Sequence, residues 1–181
     1  MKILLGVTGS VAATLAPKMV ATFKEAGHEV RLVATDRAVY FFDPKEVGEK
    51  VWRDKDEWSE DGYHKNDPVP HIDFHKWADV FVIAPLTADT LADIAIGKAD
   101  KFLACIARAW PKDKPFIIAP AMNTHMWQHP ITAEQLGKIA TWFPNFKVVE
   151  PIKKRLACGD IGEGAMADIA TILSTIEASH T

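Results

Sequence analysis

The sequence predicts a doubly wound α/β domain, one parallel sheet with helices on both faces in the flavodoxin or Rossmann manner. Three observations predict it. Continuously apolar runs stand at 2–7 (KILLGV), 29–35 (EVRLVAT), 79–85 (DVFVIAP), 114–120 (KPFIIAP) and 146–151 (FKVVEP), and strands apolar at every position belong to a sheet covered on both sides. Stretches of helical length separate them and suit βαβ crossovers. At 181 residues the chain has the size of one compact domain, and no repeat or linker divides it, so residues 1–181 are read as a single unit.

Each element has its own signals. The first strand leads into a helix over 11–25 that Gly27 ends, and a helical stretch over 91–110 is broken near Gly97. Further helices are expected over 132–142 and 167–178. Between Phe42 and Pro70 the periodicity fails, and a polar, charged segment (DPKEVGEKVWRDKDEWSEDGYHKNDPVP) takes its place. A connection of that length in a compact domain is usually functional or mobile.

Composition excludes several classes of function. With 48% hydrophobic and 25% charged residues the chain is an ordinary globular protein. A net charge of −3 gives no basic field to hold nucleic acid or anionic lipid, so neither partner is expected. No apolar run approaches the roughly 20 residues needed to cross a bilayer. Two cysteines are too few for a disulfide framework, and Met1-Lys2 runs straight into a strand, which together predict a reducing, cytoplasmic setting.

Where the first strand meets the first helix, Gly6-Val7-Thr8-Gly9-Ser10-Val11 gathers backbone N–H groups at a helix start, a place suited to an anion. The spacing is neither a dinucleotide fingerprint nor a Walker loop, so a single terminal phosphate fits better; a tight turn at Gly9 with Ser10 as N-cap is the plainer alternative. Ligands of open α/β sheets lie beyond the carboxyl ends of the strands. There this chain carries Thr35-Asp36, then Pro85-Leu86-Thr87-Ala88-Asp89-Thr90, then Pro120-Ala121-Met122-Asn123. Thr87, Asp89 and Thr90 serve equally as caps. Asn123 at a strand end can donate N–H to a carboxylate or carbonyl oxygen or merely stabilise the turn, and Met122 and Met126 either fill the core or lie against a flat ring.

Of seven histidines, His71 stands out, because Pro70-His71-Ile72 anchors it at an element boundary; an imidazole there is a candidate general base. Cys158 lies in a glycine-rich stretch before the last helix with Lys153, Lys154 and Arg155 upstream, a charge pattern that can lower a thiol pKa. The three cations read either as a solvated cluster or as a segment closing over substrate. Nothing at ligand spacing accompanies Cys158, so no metal site is expected, and Cys105 in its apolar helix is read as a core residue.

Taken together, GSVAA, HI(x4)WADVxVIAP, TADT, PAMNTxMW and ACGDxGxGAMA resemble the homo-oligomeric flavin-containing cysteine decarboxylases over nearly the whole chain. The resemblance implies FMN, with Gly9, Ser10 and Val11 around the phosphate, Thr35 nearby, and Thr87, Ala88, Asp89, Thr90 and Ala121 around the flavin. Asp89 stands where the family usually has Asn, an added anion that is unfavourable beside a phosphate unless paired. The resemblance further implies a homotrimer with the flavin at a subunit interface and the active-site histidine supplied across it.

The implied reaction is oxidative decarboxylation of a lyase, with 4'-phosphopantothenoylcysteine as substrate and 4'-phosphopantetheine, on the route to coenzyme A, as product. In it His71 assists thiol deprotonation, Asn123 and Met122 hold the substrate with Lys153, Arg155 and Ala157, and Cys158 donates a proton for a final reduction. The alternatives on the same fold are a peptidyl-cysteine decarboxylase, which needs no Cys158, and a non-catalytic subunit that regulates a protein phosphatase.

Overall fold

A computed structural model describes residues 1–58, 62, 64–155, 159 and 161–179, without the side chains of Arg155 and Ile161. Six strands form one sheet: β1 (Lys2–Val7), β2 (Glu29–Ala34), β3 (Val51–Trp52), β4 (Val80–Leu86), β5 (Phe116–Pro120) and β6 (Phe146–Val148). Their order is β3-β2-β1-β4-β5-β6, with every pairing parallel. That is the Rossmann order rather than the flavodoxin one. The chain reverses direction of winding between β1 and β4, which opens a crevice at their carboxyl ends.

Alternation along β1 explains why its sequence is apolar throughout. Ile3, Leu5 and Val7 face one layer, which holds Met19 and Phe23 of α1 (Ala16–Glu25) together with Ile172 and Ile176 of α8 (Ile169–Glu177). Leu4 faces the other layer with Phe81 and Phe116 of the sheet, Phe102 and Ile106 of α5 (Phe102–Ala109), and Ile139 of α7 (Pro130–Trp142). Each side chain of this kind contributes about 2 kcal/mol by burial. Gly6 completes the strand because a Cβ there would lie 2.6 Å from Leu103.

Helix ends follow the punctuation. A 3-10 turn, Val11–Leu15, precedes α1, and Ser10 caps it by accepting the Ala12 N–H at 3.3 Å. Gly27, at φ +84°, lets the chain leave α1. Gly97, at φ +72°, separates α4 (Ala88–Ala95) from α5, as the break expected there requires. No helix among the described residues is long and apolar enough to cross a membrane.

Three sequence expectations need correction. The segment after Phe42 is not simply irregular. It holds a 3-10 turn (Pro44–Val47), β3, which adds a sixth strand by pairing Val51 with Leu32 and Trp52 with Val33, and a short helix α2 (Asp54–Glu57). The glycine-rich stretch before α8 contributes β8 (Ile161–Ala165), antiparallel to β7 (Ile152–Arg155) in a hairpin outside the main sheet. Cys105 is half-buried rather than core, with its thiol donating to the Ala99 carbonyl at 3.2 Å.

Candidate active site

The crevice between β1 and β4 is stitched by one hydroxyl. Thr8, fully buried, donates its Oγ1–H to the Pro85 carbonyl at 2.7 Å and accepts the Thr87 N–H at 2.9 Å. One threonine therefore fixes the distance between the two turns that flank the switch point. The Thr35 N–H donates to Val7 O at 3.0 Å and the Ala121 N–H to Leu86 O at 2.9 Å, so all four strand ends are tied across the sheet.

A cavity of about 590 Å³ opens over these ends, within the roughly 300–1,000 Å³ typical of small-molecule sites. Gly9, Ser10 and Val11 line it from the first turn, Thr35 from the end of β2, Thr87, Ala88, Asp89 and Thr90 from the start of α4, and Ala121 and Met122 from the turn after β5. All the residues assigned to a cofactor by motif likeness thus stand on one wall system. A Cβ on Gly9 would lie 2.6 Å from that of Arg37, so the close approach of the first turn to the loop after β2 needs glycine. Among the described residues the N–H groups of Gly9 and Val11 have no acceptor within the chain.

Thr87 is also a cap, its Oγ1 accepting the Thr90 N–H at 3.4 Å, so the capping and lining readings hold together. Asp89 does not face the cavity uncompensated. Lys101, which also lines it, lies 3.5 Å from Asp89 and 2.9 Å from Asp93. The hydrogen bond that Lys101 donates to Asp93 holds its ammonium above the usual lysine value against the opposing effect of burial, so its charge is secure. Asp36, another lining acid, is held by Arg53 at 2.7 Å. No motif marks Arg37, Phe41, Asp54 or Lys101, whose place on the cavity is created by chain crossings.

Asn123 begins α6 (Thr124–Trp127), and its Oδ1 accepts the His125 N–H at 2.9 Å. Its carbonyl end is committed to that cap, so donation belongs to the Nδ2 end. The turn Met122–Thr124 is pressed by β8: the Met122 N–H donates to Gly164 O at 2.9 Å, and a Cβ on Gly162 would strike Thr124 Oγ1 at 2.1 Å. The glycine spacing of the last motif is a packing requirement of this contact. Lys153 and Lys154 are exposed on β7. Ala157 and Cys158 lie outside the described residues, as does the side chain of Arg155.

His71 is not among the residues lining the cavity of its own chain. It stands in the first turn of α3 (Pro70–Trp77), where its Nδ1 meets the Glu57 carboxylate. His75, one turn further on, is pushed below the usual imidazole value, by burial first and by Lys114 next, and so is neutral near pH 7.

The model of a family described as Flavoprotein matches residues 1–181. A mouse protein, phosphopantothenoylcysteine decarboxylase, is 43% identical over 178 residues, covering 98% of this chain and 86% of its own. Among solved structures, a cysteine-to-serine mutant of PPC decarboxylase complexed with pantothenoylaminoethenethiol matches with a TM-score of 0.91 at 44% identity, over 98% of this chain and 96% of that one. The FMN binding protein AtHal3 matches with a TM-score of 0.87, also at 44% identity, over 98% and 95%.

Proposed function

The chain belongs to the flavoprotein family, and from that membership we propose that it is an FMN-dependent carboxy-lyase converting 4'-phosphopantothenoylcysteine to 4'-phosphopantetheine, a step of coenzyme A biosynthesis. The observation that carries the reading is the switch-point cavity, whose walls contain every residue that the motifs assign to the cofactor, in a chain 43% identical to a named decarboxylase almost end to end.

The cavity fits FMN on its own chemistry. The first turn offers the Gly9 and Val11 N–H groups to a phosphate, and the loop after β2 adds the Arg37 cation. Ala88 and Ala121 leave room for a flat ring, and the Met122 and Met126 thioethers line the same space. A carboxylate on a saturated carbon leaves badly because the carbanion is not delocalised, and FMN held by these residues would supply the two-electron acceptor that such a substrate needs.

The chain's residues do the rest. His71 takes the proton of the substrate thiol, so that sulfur assists oxidation of the adjoining carbon to a thioaldehyde. Asn123 Nδ2 orients the carboxylate, whose C–C bond then breaks, and the electron pair is taken up through the thiocarbonyl as an enethiolate. Cys158 gives a proton to that carbon skeleton, which, with the two electrons that bound FMN would return, makes the overall reaction a redox-neutral loss of CO₂. Lys153 and Arg155 are the cations assigned to the substrate's far end.

Because His71 is off the cavity of its own chain, a second copy has to bring it there, and Val11 and Met126, apolar yet 52% and 48% exposed at the cavity wall, are the surface such a copy covers. We infer a homotrimer in the cytoplasm with the flavin site shared between subunits; light scattering on the purified protein measures its mass.

The deciding experiment is the flavin mass of the purified yellow protein, followed by CO₂ release from 4'-phosphopantothenoylcysteine against a peptide ending in cysteine. A colourless protein, or release from the peptide alone, overturns the assignment. A second expectation concerns Asp89. Removing its partner in Lys101→Ala exposes the cavity to an unpaired anion, and FMN affinity is expected to fall about fivefold, the range of a partly exposed pair. Adding Asp89→Asn should restore it, as a fluorescence titration of the apoprotein reads.

A further inference from the structure

Glu57 lies in the polar segment that the sequence left without a role, yet its side chain is 5% exposed. A buried carboxylate is costly unless donors surround it, and this one has two on a single residue. Its Oε2 accepts the backbone N–H of His71 at 3.0 Å, and its Oε1 meets His71 Nδ1. Its charge also reaches Cys105, whose thiol is pushed up, by burial first and by Glu57 next.

The elements around it hold the carboxylate in place. The residue before α3 is Val69, which has no side chain to cap the helix, so the orphan N–H of His71 is capped from outside by Glu57. The short helix bearing Glu57 is itself fixed at several points. The Arg53 N–H donates to Asp56 at 2.8 Å, the Arg53 guanidinium holds Asp36, and Asp54 accepts the Phe102 N–H at 2.8 Å at the start of α5.

We propose that Glu57 is the positioning residue for His71, holding its neutral ring in the Nδ1–H form and stabilising the imidazolium that proton transfer creates. An ionised carboxylate only accepts, so the ring nitrogen facing it must carry the hydrogen. Nε2 is then the nitrogen with a lone pair, on the side of a ring that is 25% exposed. When the substrate thiol's proton passes to Nε2, the ring becomes a cation directly against the Glu57 anion, the arrangement that triad carboxylates use. This rests on the reading of His71 as the base.

Glu57→Gln is isosteric, but its single carbonyl oxygen serves either the His71 N–H or the ring. If it keeps the backbone N–H, its NH₂ faces Nδ1 and drives the ring to the Nε2–H form, which has no base on the substrate side. The expected result is kcat lower by about 10²-fold with KM changed less than about threefold and FMN retained. The double variant Glu57→Gln/His71→Asn should be no slower than His71→Asn alone, since the two act as one unit.

The measurement that a purely structural role would not move is the tautomer, read from ring ¹⁵N shifts of histidine-labelled full-length protein, with the His71 signals assigned by their loss in His71→Asn. Wild-type protein showing Nδ1–H and Glu57→Gln showing Nε2–H support the proposal. An Nε2–H ring in the wild type overturns it even if the variant fails to fold. Wild-type kcat in Glu57→Gln beside an inactive His71→Asn overturns it while leaving His71 as the base. Full activity of His71→Asn overturns both.

Discussion

Cys158→Ser is expected to release CO₂ without forming 4'-phosphopantetheine. The proposed sequence has two halves, and the cysteine enters only the second. Thiol deprotonation at His71 and carboxylate orientation at Asn123 do not involve it, so the first CO₂ should leave at close to the wild-type rate. Return of the hydride needs a proton delivered at the same time, and a serine hydroxyl is a far weaker acid than a thiol. Loss of a positioned acid costs roughly 10²–10⁴ in rate, so product formation should fall by that amount. The accumulated species is the enethiol, two hydrogens lighter than the product and separable by mass. Under argon the CO₂ yield should stop near one per active site, because nothing else takes the electrons. A variant making 4'-phosphopantetheine at the wild-type rate would remove Cys158 from the mechanism.

The fold was legible because four of its six strands, β1, β2, β4 and β5, are buried on both faces and write themselves as apolar runs, while the edge strand β6, though only partly buried, still reads as FKVV. The exception, β3, has two residues, Val51 and Trp52, in a charged stretch, and exists because β2 offers it an edge. The β7–β8 hairpin was hidden for a different reason. Lysines and glycines carry no alternation, and its strands are held by each other and by the turn at Met122–Thr124. The cavity was readable in outline because polar residues directly after apolar runs must collect at one sheet edge. Its charged rim was not, since Lys101 and Asp54 stand at the starts of α5 and α2, helices whose approach to the cavity no local rule sets. Glu57 had one signal available: a helix starting at Val69-Pro70 without a capping side chain has to find an acceptor elsewhere, and the preceding acidic segment is where to look.

Gly164→Ala should abolish turnover while leaving most of the fold intact. Gly164 has φ +142°, and a Cβ there would lie 2.2 Å from the Met122 carbonyl oxygen. That oxygen is backbone, so no rotamer change relieves the contact. The strain of the dihedral alone is of order 1–3 kcal/mol, and the clash adds to it. The main sheet is not the place where this is absorbed, because β8 pairs with β7 rather than with any of the six parallel strands. The cheaper response is for β8 to lift from the turn, breaking the Met122 N–H bond to Gly164 and releasing the turn that carries Asn123. Activity is therefore expected to drop by more than about 10²-fold, the effect of misplacing a positioned group by an ångström or so, with FMN still bound through the first turn. Gly48→Ala is the control: it has φ +71° with nothing within 4 Å, so it carries the dihedral strain without the collision, and its activity should be near normal. Equal losses in the two variants would mean that strain, not the seating of β8 on the turn, is what the glycine serves.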